Sequence, residues 1–251
     1  MIRVGVTLPQ FTSDRDAFVD GARRAEVAGL DSVWVFDHLW PLSGGKRRPI
    51  LECWTALSYA AAATDTIGVG TLVTRSTLRR PLVVAKAAAT VAHVAPDRLT
   101  VAIGSGDEAS RDENEAFGLP YLEGDERVAQ LEATVEIVRE ELDGAAPVWI
   151  AGRSDAVLEV AARNADGWNG WESSPQDFAV EVATLGAAAQ GRRVEATWAG
   201  IGRSGDLAAL TRRLEGLARA GATHLICVFS DAGEPGVYER FGEEVAARLR
   251  V

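Results

Sequence analysis

Three histidines occur in the chain, at positions 38, 93 and 224. Only His38 directly follows a strand-like run, in the segment WVFDHLW, with Asp37 beside it. An imidazole ordinarily titrates near neutrality and can both take and give a proton. A histidine at a strand end therefore suits general acid–base work. The competing reading is a loop carboxylate and imidazole that bond nearby backbone. His93 falls late in a helical stretch and His224 opens the last strand; both read as structural or solvated. No metal is expected. Asp37 and His38 are adjacent, Glu52 and Glu108 are the acids that could join them, and no His-x-His or Cys/His cluster adds ligands. Cys53 and Cys227 lie in apolar stretches and read as reduced core residues.

Two glycine-bearing segments could receive a ligand. Gly104-Ser105-Gly106-Asp107-Glu108-Ala109 formally fits the dinucleotide fingerprint G-x-G-x-x-A. A Rossmann site belongs in the first βα unit, however, with an acid ending the next strand, and neither condition holds here. What remains is a loop where backbone N–H groups can approach a ligand closely, or simply a tight turn. Gly152-Arg153-Ser154-Asp155 opens a helix, and free amides, a hydroxyl cap and an arginine together can hold an anion. An N-capped helix with a surface arginine is the equal alternative. Arg75, Arg79 and Arg80 follow the third strand and could attract an acidic ligand, or form a solvated loop. Trp40, Trp168 and Trp171 fall in strand-end segments and could stack on an aromatic ring, or cover a barrel mouth.

These segments are placed by a repeating alternation. Short apolar runs at Arg3–Leu8, Ser32–Phe36, Ile67–Val73, Leu99–Ile103, Val148–Ala151, Gly167–Asn169, Val194–Ala199 and His224–Phe229 read as strands. Amphipathic stretches between them read as helices. The clearest carries Val128, Leu131, Val135, Val138 and Leu142, closed by Gly144. Eight βα units of roughly 31 residues predict an α/β fold, a (β/α)8 TIM barrel in a single domain over 1–251. A doubly wound sheet is the alternative, and eight sequential units without a break favour closure. In a barrel the chemistry belongs at the strand C-termini, where Asp37, His38, Gly104 and Gly152 all fall.

Composition narrows the partners. Of 251 residues 47% are hydrophobic and 25% charged, ordinary for a globular protein with a sizeable core. A net charge of −10 argues against nucleic acid or an anionic membrane surface as partner. The opening MIRVGVTLPQ is too short and too regularly alternating for a signal peptide, and Lys86 and His93 interrupt the longest apolar candidate span. No membrane association and a cytoplasmic location are the expectation.

Several segments together, in order, resemble the bacterial luciferase-like flavin and deazaflavin oxidoreductases, especially the branch that uses coenzyme F420. They are GVTLPQ, AEVAGLDSVWVFDHLWP, IGVGTLVTRSTLRRPLVVAKAAATVAHVAPDRLTVAIGSGD, NEAFGLPY, PVWIAGRSDAVLEVAARNADGWNGW and AGATHLICVF. The resemblance implies a barrel, usually a homodimer, with an isoalloxazine-type ring at the strand C-termini. It implies that Asp37 and His38 contact the ring and handle the proton. Leu72 and Val73 would form a non-proline cis peptide against the ring. Gly104, Ser105, Gly106 and Asp107 would line the cofactor, with Asp107 as a possible carboxylate acid. Gly152, Arg153 and Ser154 would hold the cofactor's phosphate and tail. The implied activity is hydride transfer between F420 and a small organic substrate. An FMN-dependent monooxygenase and a non-catalytic flavin or deazaflavin binder are the alternatives. Two connections are shorter than relatives have: Asp143–Ala146 and Gly200–Gly205.

Overall fold

A computed structural model describes residues 1–41, 45–46 and 48–250. Among the described residues nine parallel strands form the sheet: β1 (Arg3–Thr7), β2 (Ser32–Val35), β3 (Gly68–Thr71), β4 (Thr74–Arg75), β5 (Leu99–Gly104), β6 (Val148–Ala151), β7 (Gly167–Trp171), β8 (Glu195–Gly202) and β9 (His224–Phe229). β1 pairs with both β2 and β9, and β3 pairs with β5, so the sheet closes on itself. β3 and β4 share one place in the barrel. The expected single strand Ile67–Val73 is broken at Leu72–Val73, whose peptide bond is cis. The result is the expected (β/α)8 barrel.

The helices are α1 (Arg15–Val27), α2 (Cys53–Ala63), α3 (Pro81–Val94), α4 (Arg111–Ala116), α5 (Gly124–Leu142), α6 (Asp155–Asn164), α7 (Pro175–Ala188), α8 (Leu207–Arg219) and α9 (Val237–Phe241). A π turn over Gly242–Ala246 carries α9 into α10 (Ala247–Leu249). Local chemistry starts them. Asp14, Ser154, Ser174 and Asp206 each accept a backbone N–H of the first turn that would otherwise lack a partner. Pro81 and Pro175 stand at first-turn positions, where a missing N–H costs nothing.

Two apolar layers result from strand alternation. Val4, Val33, Val69, Val101, Val148 and Leu225 face outward onto buried helix residues such as Phe18, Leu57, Ala88, Leu131 and Phe241. The barrel interior is separate and holds Trp34, Phe36, Leu72, Ala102, Trp149, Ala199 and Ile226. Trp34 stacks on Trp149 with centroids 5.2 Å apart, and both meet the His224 ring edge-on. Glycine makes room for them: a Cβ on Gly70 would lie 2.3 Å from the Trp34 ring. His224 shares a 2.8 Å hydrogen bond between Nε2 and Ser32 Oγ at the barrel's N-terminal end. Burial, aided by Arg3, holds its pKa well below the ordinary value, so the ring is neutral and structural.

Three departures from the expected elements bear on the site. The segment after β5 folds into a 3-10 turn at Glu108–Ser110 followed by α4, where no helix was expected. β7 runs on to Trp171 and β8 to Gly202, past the expected ends at Asn169 and Ala199. The β8 extension reads as loop in sequence because of Gly200 and Gly202. A Cβ at Gly202 would lie 2.7 Å from the Phe229 ring, so close strand packing accounts for that glycine. Among the described residues, no helix is long and apolar enough to cross a membrane.

Candidate active site

The strand register carries the expected segments into one arc at the C-terminal end of the barrel. Val35 pairs with Thr71, Arg75 with Gly104, and Gly104 with Ala151. Residues 36–38, 72–76, 104–107 and 152–154 therefore leave neighbouring strands side by side. Gln10 anchors the start of the arc. Its side-chain amide donates to Phe36 O (2.8 Å) and Leu51 O (2.6 Å) and accepts from Phe36 N (2.7 Å).

Asp37 stands at the base of this arc and is only 1% exposed. Its Oδ2 accepts from Thr74 Oγ1 (2.8 Å), Arg75 N (3.1 Å) and Arg79 Nη1 (2.6 Å), and its Oδ1 from Arg79 Nη2 (2.9 Å). Arg79 also reaches Glu52 Oε1 at 2.5 Å. Burial acts to lower the Arg79 pKa, but the bonds and charges of Asp37 and Glu52 outweigh it and raise it. This bears on two expectations. Asp37 is buried and takes four hydrogen bonds from within the chain, which tie it to β4 and to the start of α3. Arg75 and Arg79 are not free to attract an acidic ligand, because internal carboxylates hold both. Arg80 alone of the three is exposed, at the N-cap of α3.

His38 lies just above, with its side chain 20% exposed. Its Nδ1 is 3.0 Å from Glu113 Oε2. Glu113 comes from α4 and is 1% exposed. Its Oε2 also accepts from Arg75 Nη2 (2.8 Å), and its Oε1 accepts the backbone N–H groups of Leu39 and Trp40 (3.1 Å for Trp40). Burial works to raise the Glu113 pKa. The bonds from His38 and Leu39 and the charges of His38 and Arg75 overcome it and hold the carboxyl below the usual range. Among the described residues His38 Nε2 has no partner. Sequence reasoning missed Glu113 altogether. The available signal was an acid on a catalytic-face loop, but the 75-residue separation from His38 is invisible without the fold.

The remaining residues form the rest of the mouth. Phe36 and Leu72 are buried, and Val73, Phe11 and Val228 pack beside them as an apolar floor. Trp171 is 41% exposed and edge-on to Phe36 at 6.4 Å. Trp40 is half-buried against Phe117, with Lys46 Nζ 3.9 Å above its ring. Trp168 is not at the mouth. Strand alternation turns it outward, where it stacks on Phe178 and donates to Gly152 O at 2.7 Å. Ser105 and Gly106 are half-buried, and Gly106 takes a φ of +76°. Asp107 is exposed and caps the following turn through Ser110 N (3.0 Å) and Ser110 Oγ (2.7 Å). Ser154 caps α6, and Arg153, half-exposed, pairs with Glu181. Arg153 is thus a partly neutralised cation beside the free amides of that helix end.

A family model described as luciferase-like monooxygenase matches residues 2–212. The chain is 43% identical over 119 residues to an F420-dependent glucose-6-phosphate dehydrogenase of Beutenbergia cavernae, covering 46% of this chain and 33% of the relative. It is 33% identical over 196 residues to the protein of the same name from Amycolatopsis mediterranei, covering 67% and 57%. The match thus spans about a third to somewhat over half of those curated relatives. Among solved structures, an F420-dependent secondary alcohol dehydrogenase in complex with an F420–acetone adduct superposes with a TM-score of 0.83 at 17% identity, over 98% of both chains.

Proposed function

The chain belongs to the luciferase-like monooxygenase family, and on that footing we propose that it is an F420-dependent oxidoreductase acting on a small organic substrate. The observation that carries this reading is the His38 dyad. A mostly buried imidazole with one exposed edge, backed by a buried ionised carboxylate, stands at the mouth of the barrel beside its apolar floor.

The residues fit a deazaflavin. Phe36, Leu72, Val73 and Val228 offer a flat ring an apolar surface, and Trp171 offers it an aromatic edge. Ser105 and the Gly104–Gly106 backbone offer hydrogen bonds to its polar rim. The first-turn amides of α6, with Ser154 and Arg153 beside them, suit a phosphate. The bound coenzyme supplies two-electron hydride chemistry. The chain's own part is proton handling: the Nε2 lone pair of His38 takes the proton from a substrate hydroxyl as the alcohol is oxidised, and returns it in the reverse direction. Asp107 is the second candidate acid, from the exposed side of the mouth.

The test is a paired titration of the purified protein with oxidised F420 and with FMN, read by fluorescence or calorimetry. Saturable F420 binding at least about tenfold tighter than FMN is expected, a gap of roughly 1.4 kcal/mol. Preference for FMN would turn the reading to an oxygen-coupled monooxygenase. Binding without turnover across alcohols, aldehydes and sugar phosphates would leave a cofactor binder, and binding of neither would overturn the enzyme.

The same reading carries a homodimer. α2 and α3 pack side by side, and the only ionisable side chains along their residues 54–63 and 81–92 are Tyr59 and Lys86. Tyr59, Leu82 and Val83 are exposed there, and Val94 follows at the end of α3 beside the exposed His93. In a chain of net charge −10, an outer face nearly free of charge is the one on which two copies meet with least repulsion. Analytical ultracentrifugation should give twice the chain mass, and Leu82→Glu should halve it. A wild-type monomer at micromolar concentration would remove this assignment.

A further inference from the structure

We propose that Glu113 is the positioning residue for His38, fixing the tautomer and orientation of its ring so that Nε2 carries the free lone pair. The inference rests on the reading of His38 as the proton-handling group, but its geometry stands independently of any cofactor.

The argument is one of hydrogen-bond accounting. An ionised carboxylate only accepts. Glu113 is held ionised below the usual range against burial by the donors around it. Its Oε1 takes two backbone N–H groups, and its Oε2 takes Arg75 Nη2 and faces His38 Nδ1 at 3.0 Å. Nδ1 must therefore carry hydrogen, and the neutral ring is left with its lone pair on Nε2. Without such an acceptor either ring nitrogen could carry the hydrogen, and a ring 20% exposed would be freer to rotate. Glu113 fixes more than the ring. By binding Leu39 N and Trp40 N it also pins the backbone on which His38 stands. Contacts between the same two segments, Trp40 with Phe117 and Lys46 with Asp112 at 3.6 Å, close the junction from the solvent side. The charged groups facing this site are Glu113 and, across it, Arg75. Asp37 beside His38 is occupied by Arg79. Arg75 is itself fixed by Asn114 Oδ1 (3.1 Å) and by Asp37 O (3.0 Å), so the carboxylate has no freedom to turn away.

The experiment uses the 15N-labelled protein without cofactor. Long-range 15N–1H correlations of the rings report tautomers directly, and a chain with three histidines is readily assigned with a His38→Ala control. At a pH where the ring is neutral, wild-type His38 should show Nδ1 protonated and Nε2 bare. Glu113→Gln, whose side chain can donate as well as accept, should lose that single-tautomer signature. With F420 and a substrate that turns over, Glu113→Gln should lower kcat by about 10²-fold or more while KM stays within about threefold. A wild-type ring with Nε2 protonated overturns the proposal without need of any variant. So does a folded Glu113→Gln with the wild-type signature and wild-type kcat. Should F420 fail to bind at all, the functional reading fails, while the tautomer result still decides the role of Glu113.

Discussion

Turnover by the His38→Ala enzyme falls by about 10²–10⁴-fold, with F420 affinity within about threefold of wild type. The two numbers belong together. Removing a general acid or base costs the transition state a proton transfer, whereas a ring resting on Phe36, Leu72 and Val73 keeps its contacts. The fold should tolerate the change. Glu113 loses one of four donors and retains Arg75, Leu39 N and Trp40 N, so the expected loss is about 1.5–3 kcal/mol of stability, the range for a bond to a charged group. Steady-state rates beside a thermal melt check both halves. Turnover within a few-fold of wild type removes His38 from proton transfer. Asp107→Asn in the same assay then decides whether the exposed carboxylate holds that role. Asparagine keeps the Oδ1 acceptor for Ser110 and removes only the charge.

How far the sequence reaches is shown by His38 and Glu113 together. The barrel is legible because strand alternation and helix periodicity are local, and a parallel barrel then dictates which ends carry chemistry. His38 follows from that rule alone. Glu113 does not, because its meaning depends on α4, a six-residue helix rich in charge with no apolar stripe to announce it. Tertiary contacts stabilise that helix: Asn114 and Glu113 are both buried by the partners they hold. Trp168 fails for the opposite reason. Its position near a strand end points to the mouth, but side chains alternate along a strand, and the β7 register puts Asn169 and Trp171 on the inner face and Trp168 on the outer. Arg75 and Arg79 show a third limit. A run of cations reads as a binding surface until their buried counter-charges, Asp37, Glu52 and Glu113, are located.

Asp37 is where the resemblance and the geometry make opposite predictions, and Asp37→Ala separates them. As a ring contact, its loss would weaken F420 binding and leave the fold nearly intact. As the buried counter-charge of Arg79, its loss leaves Thr74 Oγ1 and Arg75 N without their acceptor and Arg79 with Glu52 alone. Breaking one side of such a pair costs about 3–5 kcal/mol. For a chain of this length the melting temperature should fall by roughly 2–4 °C per kcal/mol, or about 6–20 °C in all. The double variant Asp37→Ala/Arg79→Met carries the argument further. Removing both charges also removes the cation left with only the half-exposed Glu52, so the double variant should be more stable than Asp37→Ala alone. A melt of Asp37→Ala within about 2 °C of wild type, with F420 binding lost, would return Asp37 to the ring and leave β4 and α3 to be held by packing alone.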